Sequence, residues 1–91
     1  MTKAVSRTVK IVNRRGLHAR ASAKFVKTAA RFDAAVTVAK DGMDVVGTSI
    51  MGLMLLAAAP GDSIQIKCEG RQAKVALEAL VSLVADRFDE D

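Results

Sequence analysis

The stretch Ser63 to Glu69 alternates without exception, with Ile64, Ile66 and Cys68 on one side and Ser63, Gln65, Lys67 and Glu69 on the other. Successive side chains of a strand point to opposite faces, so this run predicts a β-strand with one buried and one solvated face. A sheet made of such strands needs a second layer over its apolar side. In a chain of 91 residues that layer has to come from a few helices packed on the same face. Ala58-Ala59-Pro60-Gly61-Asp62 breaks the chain before the strand, and Gly70 turns it afterwards.

The remaining elements fit this frame. Val5 to Val12 reads as a strand, with Val5, Val9 and Ile11 opposed to Ser6, Thr8 and Lys10. Arg7 interrupts its apolar face and points to an edge or an end. Asn13-Arg14-Arg15-Gly16 follows as a loop. A helix is predicted over Ala19 to Arg31, with Ala21, Ser22, Phe25, Val26, Ala29 and Ala30 as its apolar stripe. Arg20, Lys24, Lys27 and Arg31 recur at helical spacing on its other face, as a cationic ridge. Lys24 and Arg31 read as solvated positions on it. Ala34 to Ala39 is a strand with Val36 and Val38 inward. Asp41-Gly42 is a hairpin turn, and Met43 to Val46 is the returning strand. Ser49 is placed to cap a short helix, Ile50 to Leu56, which is apolar nearly all round. A last helix runs from Arg71 to Phe88, with a stripe of Ala73, Ala76, Leu77, Leu80, Val84 and Phe88. Asp89-Glu90-Asp91 reads as a frayed segment after it. The order β-α-β-β-α-β-α gives one α+β domain over residues 1–91.

Composition narrows the function. Apolar residues make up 51% of the chain, with three Phe and no Trp or Tyr, so an aliphatic core needs no metal or disulfide staple. Cys68 is the only cysteine and has no intramolecular partner. One cysteine and one histidine do not make a zinc site, and no glycine-rich nucleotide loop occurs. Neither a metal nor a cofactor is expected. A net charge of +4 points to an anionic partner. The near absence of aromatics argues against nucleic acid, because single strands and RNA are bound by stacking bases on aromatic rings. The first residues lack the apolar core of a signal peptide. The run Ile50 to Ala59 is too short to cross a bilayer. A cytoplasmic protein with no direct membrane insertion is expected.

His18 is the one histidine, and its neighbours single it out. Gly16 lets the backbone turn sharply into the helix. A helix start offers unpaired N–H groups and partial positive charge to a phosphate. Arg20 adds charge-assisted hydrogen bonds. A neutral imidazole is a competent nucleophile toward phosphorus. An open helix end with one arginine suits a phosphoryl group that has to leave again.

The stretch Gly16-Leu17-His18-Ala19-Arg20, followed by a small residue, resembles the active-site signature of the HPr phosphocarriers of the phosphoenolpyruvate-dependent phosphotransferase system. Gly47-Thr48-Ser49-Ile50-Met51-Gly52-Leu53-Met54 is similar to that family's regulatory serine region. The interval between the two, the Gly61 breaker and the element order also agree, so the resemblance spans essentially the whole chain. It implies an open-faced β-sandwich, with a four-stranded antiparallel sheet covered on one face by three helices. It implies a phosphocarrier, not an enzyme with its own small-molecule substrate. Enzyme I would phosphorylate His18 at Nδ1, and an EIIA histidine would accept the group. Arg20 would neutralise the phosphate. Ser49 would be the residue that HPr kinase/phosphorylase modifies. Leu17, Lys24, Lys27, Ile50, Met51 and Met54 would form the docking surface of a monomer.

One position departs from the pattern. Many family members have proline after the active-site arginine, where this chain has Ala21. A slightly less rigid helix start is expected. Both the sugar branch and the nitrogen-related regulatory branch of the system remain open. A regulatory phosphoprotein acting by protein contact and a small basic nucleic-acid-binding domain are the alternatives.

Overall fold

A computed structural model describes residues 4–90. Strand β4 (Ser63–Glu69) lies inside the sheet, as its strict alternation requires. It is bracketed by β1 (Ala4–Lys10) and β2 (Ala35–Lys40), and β3 (Met43–Val46) closes the order β1-β4-β2-β3. All three pairings are antiparallel. The registers stack one apolar face, with Cys68 between Val5 and Val36, and Ile66 beside Val38. Helices α1 (Ala19–Ala29) and α3 (Ala73–Ala85), with the short α2 (Ile50–Leu55), supply the second layer. Phe25, Leu53, Ile64, Ile66 and Leu80 meet between the layers, each fully buried or nearly so. The architecture is the predicted α+β one, four antiparallel strands and three helices.

Cys68 belongs to this interior, and its burial pushes the thiol's pKa above the usual cysteine value. Arg7 sits opposite Ile66 on the edge strand β1 and is exposed, as its interruption of the apolar pattern suggests. A charge there discourages further strand pairing. The hairpin between β2 and β3 turns on Asp41 (φ 52°) and Gly42 (φ 83°), the two left-handed residues that the strand twist favours.

Several predicted boundaries shift, β2 (Ala35–Lys40, not Ala34–Ala39) and the end of α2 (Leu55, not Leu56) by one residue, and three others for a visible reason. Strand β1 ends at Lys10 and not at Val12, because Ile11 exchanges hydrogen bonds with the loop instead: its N–H donates to Asp62 (2.8 Å) and its carbonyl accepts from Gly61 (2.8 Å). Helix α1 stops at Ala29. Ala30 is its C-cap and is exposed, so it leaves the apolar stripe. The third correction is larger. Helix α3 runs from Ala73 to Ala85, not from Arg71 to Phe88, and a turn of opposite hand follows it. Arg87, Phe88 and Asp89 take φ values of 57°, 55° and 59°. The left-handed conformation costs about 1–2 kcal/mol per non-glycine residue, and complete burial of Phe88 is the main compensation. Phe88 thus reaches the core as expected, by a reversal of the chain and not by another helical turn. Asp89 and Glu90 are consequently not a frayed segment. Asp91 lies outside the described residues.

Candidate phosphoryl-acceptor site

The loop before α1 is pinned at Asn13, Gly16 and Leu17. Gly16 has φ 64°, and a Cβ there would lie 2.2 Å from the Ala58 carbonyl oxygen. Leu17 donates its N–H to that same oxygen at 2.9 Å. The buried Asn13 side chain donates Nδ2–H to the Gly16 carbonyl at 2.8 Å. Ser22 in α1 donates its hydroxyl to the Leu17 carbonyl at 3.2 Å. These bonds leave His18 as the N-cap of α1, with extended backbone (φ −76°, ψ 179°) and a side chain that does not cap.

The first bond of the helical ladder is Ser22 N–H to the His18 carbonyl, 2.9 Å. The N–H groups of Ala19, Arg20 and Ala21 therefore precede the ladder and remain available to an anion. Ala21 is fully buried, so it packs against the core while keeping an N–H that a proline would lack.

The imidazole is partly exposed and faces two acceptors. Nδ1 lies 3.1 Å from the Gly16 carbonyl oxygen. Nε2 lies 3.0 Å from Glu90 Oε2. Around it Arg14, Arg15, Arg20, Lys24, Asp89 and Glu90 line an open depression of about 370 Å³. Among the described residues, Arg14, Arg15 and Arg20 form no ion pair. Their charge stays available for a phosphate. Lys24, read from the sequence as a solvated ridge position, instead donates Nζ–H to the Phe88 carbonyl at 2.6 Å and holds the left-handed turn against α1.

The docking residues expected from the resemblance divide. Ile50, Met51 and Met54 are exposed on α2, Met51 by 76%. Leu55 of α2 and Val46 at the end of β3 join them at 67% and 61%; for Leu55, periodicity had not separated it from core residues because α2 is apolar on all sides. Lys27 is exposed on α1 but does not line the depression. Leu17 is corrected: it is buried in the core, with 4% of its surface accessible, because its backbone is tied to Ala58. It has no surface to offer a partner. Ser49 caps α2, its Oγ accepting from Gly52 N–H at 2.9 Å. Asn13, Asp89 and Glu90 were missed. No sequence signal links residues at that separation; the link exists only once the chain reverses after α3.

Comparison with known proteins agrees with this geometry. The family model described as "PTS HPr component phosphorylation site" matches residues 5–86. The phosphocarrier protein HPr of Pseudomonas aeruginosa is 47% identical over 83 residues, covering 90% of this chain and 92% of its own. That of Neisseria meningitidis serogroup A is 44% identical over 86 residues, covering 94% and 97%. The crystal structure of HPr-C-His from Thermoanaerobacter tengcongensis superposes with a TM-score of 0.92 at 39% identity, covering 96% of this chain and 98% of that one. No helix among the described residues is long and apolar enough to cross a membrane. A single histidine at a helix start, ringed by arginines on this fold, thus coincides with a family-wide match, and the chain belongs to the HPr phosphocarriers of the phosphotransferase system, proteins that relay a phosphoryl group and are not catalysts with a substrate of their own.

Proposed function

We propose that the chain acts as a single carrier domain in the cytoplasm, taking a phosphoryl group from phospho-enzyme I onto His18 and passing it to a histidine of an EIIA domain. The observation that carries this reading is His18 at the cap of α1, with three N–H groups behind it and, around it, three arginines that form no ion pair among the described residues. In the transfer, a lone pair on the His18 ring forms a bond to phosphorus. The P–N bond to the donor histidine breaks, and its electron pair returns to the donor ring. No redox change occurs. Family resemblance favours Nδ1 as the acceptor, and for that the ring turns away from the Gly16 carbonyl. The loose transition state spreads charge over the equatorial oxygens, where Arg20 and the helix N–H groups act.

The test is incubation with enzyme I and labelled phosphoenolpyruvate. Acid-labile label on the wild-type protein is expected, and its absence overturns the reading. Arg20→Ala should fold normally, since the side chain is exposed, and should slow transfer by about tenfold to a hundredfold, the effect of losing one charge-assisted donor. An unchanged rate would remove Arg20 from the transition state.

The exposed Ile50, Met51, Met54 and Leu55 form the proposed docking surface for monomeric encounters with both partners. Methionine suits a surface that must fit more than one shape. Phosphate on Ser49 would add about two negative charges at the edge of that apolar patch and would oppose acidic partners there. Incubation with ATP and the kinase should place acid-stable phosphate on Ser49; no incorporation would leave it a helix cap alone.

A further inference from the structure

Four groups close a circuit beside the depression. His18 Nδ1 faces the Gly16 carbonyl (3.1 Å), Asn13 Nδ2 donates to that carbonyl (2.8 Å) and to Glu90 Oε1 (3.4 Å), and Glu90 Oε2 returns to His18 Nε2 (3.0 Å). The carboxylate is largely buried, its side chain only 13% exposed. Oε2 lies close to His18 Nε2 but makes no well-directed hydrogen bond. Asn13 Oδ1, also buried, has no partner. Asp89 lines the same depression, so two acidic residues stand among its arginines.

We propose that Glu90 is a resident anion of the phosphoryl site, which fills it in the unphosphorylated protein and is expelled when His18 is phosphorylated. The inference rests on the reading of His18 as the phosphate acceptor.

The circuit is under-satisfied by construction. The ring faces two oxygens, and in its neutral form it carries one N–H, so one ring nitrogen then turns a lone pair toward an acceptor. The left-handed turn positions the carboxylate, and it is held from behind by Phe88 in the core and by the Lys24 bond to the Phe88 carbonyl. Those anchors need not move. A phosphoryl group on His18 brings negative charge next to Glu90 and Asp89 and competes for the arginines. Like charges at this range repel. Displacement of Asp89 and Glu90 alone relieves it, with the turn as the hinge. Glu90 thereby holds the ring in its resting orientation, and its release marks the phosphorylated molecule with a changed surface beside the site.

Glu90→Gln removes the charge and keeps Oε1 as an acceptor for Asn13. In the full-length chain it should speed phosphorylation by enzyme I by about threefold to tenfold, the size expected of one partly screened charge contact. Amide hydrogen exchange at Asp89 and Glu90 should quicken in the wild-type protein once His18 is phosphorylated. A second arm needs no transfer. Inorganic phosphate, titrated while the amide signals of Ala19 to Ala21 are followed, should bind the variant about threefold more tightly. Normal labelling of the wild type together with an unchanged variant rate, unchanged exchange and equal phosphate affinity overturns the resident anion alone. Tighter phosphate binding by the variant, with no label on the wild type, overturns the carrier reading and supports the displaced anion.

Discussion

His18→Ala is expected to abolish acid-labile phosphorylation and to leave the fold intact. No other residue of the chain carries an imidazole, so no second ring can take the group. The fold should survive because His18 contributes its backbone, not its side chain, to the start of α1. Its carbonyl accepts the first helical bond, and the imidazole caps nothing. Among the described residues the Glu90 contact is the one salt-bridge-range contact of the side chain that is lost, and a partly exposed contact of this kind is worth about 1 kcal/mol or less. Labelling with enzyme I and phosphoenolpyruvate, run beside a circular-dichroism melt, checks both halves. Acid-labile label persisting in the folded variant would move the acceptor elsewhere.

Gly16→Ala should be the most damaging conservative substitution near the site. A left-handed φ of 64° costs an alanine about 1–2 kcal/mol. In addition, the new Cβ would stand 2.2 Å from the Ala58 carbonyl oxygen, closer than atoms pack. That oxygen cannot swing aside cheaply, because it accepts the Leu17 N–H and so pins the loop to the core. Overpacking of this kind costs about 1–3 kcal/mol more. Together these should lower the melting temperature by roughly 10 °C or more. Gly42→Ala is the control. Its φ of 83° carries the same conformational penalty, but nothing lies within 4 Å of its Cβ. The difference between the two melts isolates the collision. Equal destabilisation would mean that the loop relaxes freely. Because the same loop aims His18, Gly16→Ala should also slow transfer at temperatures where the variant is still folded.

The parts of the site that were legible share one property. Gly16, His18, Arg20 and the start of α1 are contiguous, so local turn and helix chemistry fixes their relation without reference to the rest of the molecule. The cap at Ser49 and the Asp41-Gly42 hairpin were readable for the same reason. Leu17 was misplaced because its burial depends on a bond to Ala58, far along the chain. The exposed side of α2 was undetermined because an apolar stripe that wraps the whole helix encodes no direction; only the sheet and α1 decide which side is covered. Lys24 looked solvated because its acceptor, the Phe88 carbonyl, is remote in sequence.

Sequence alone therefore determined the alternating strands, the capped helices, the apolar layer between them and the placing of the candidate nucleophile, His18, next to Arg20. Each follows from side-chain period or from chemistry within a few residues. Tertiary structure alone decided what surrounds the nucleophile. Three consecutive left-handed residues after α3 have no glycine to announce them, and they exist because burying Phe88 repays their strain. That reversal brings Glu90 within 3.0 Å of His18 and places an acidic residue beside the proposed phosphoryl acceptor. The compensation lies in contacts between distant segments, which no local pattern records.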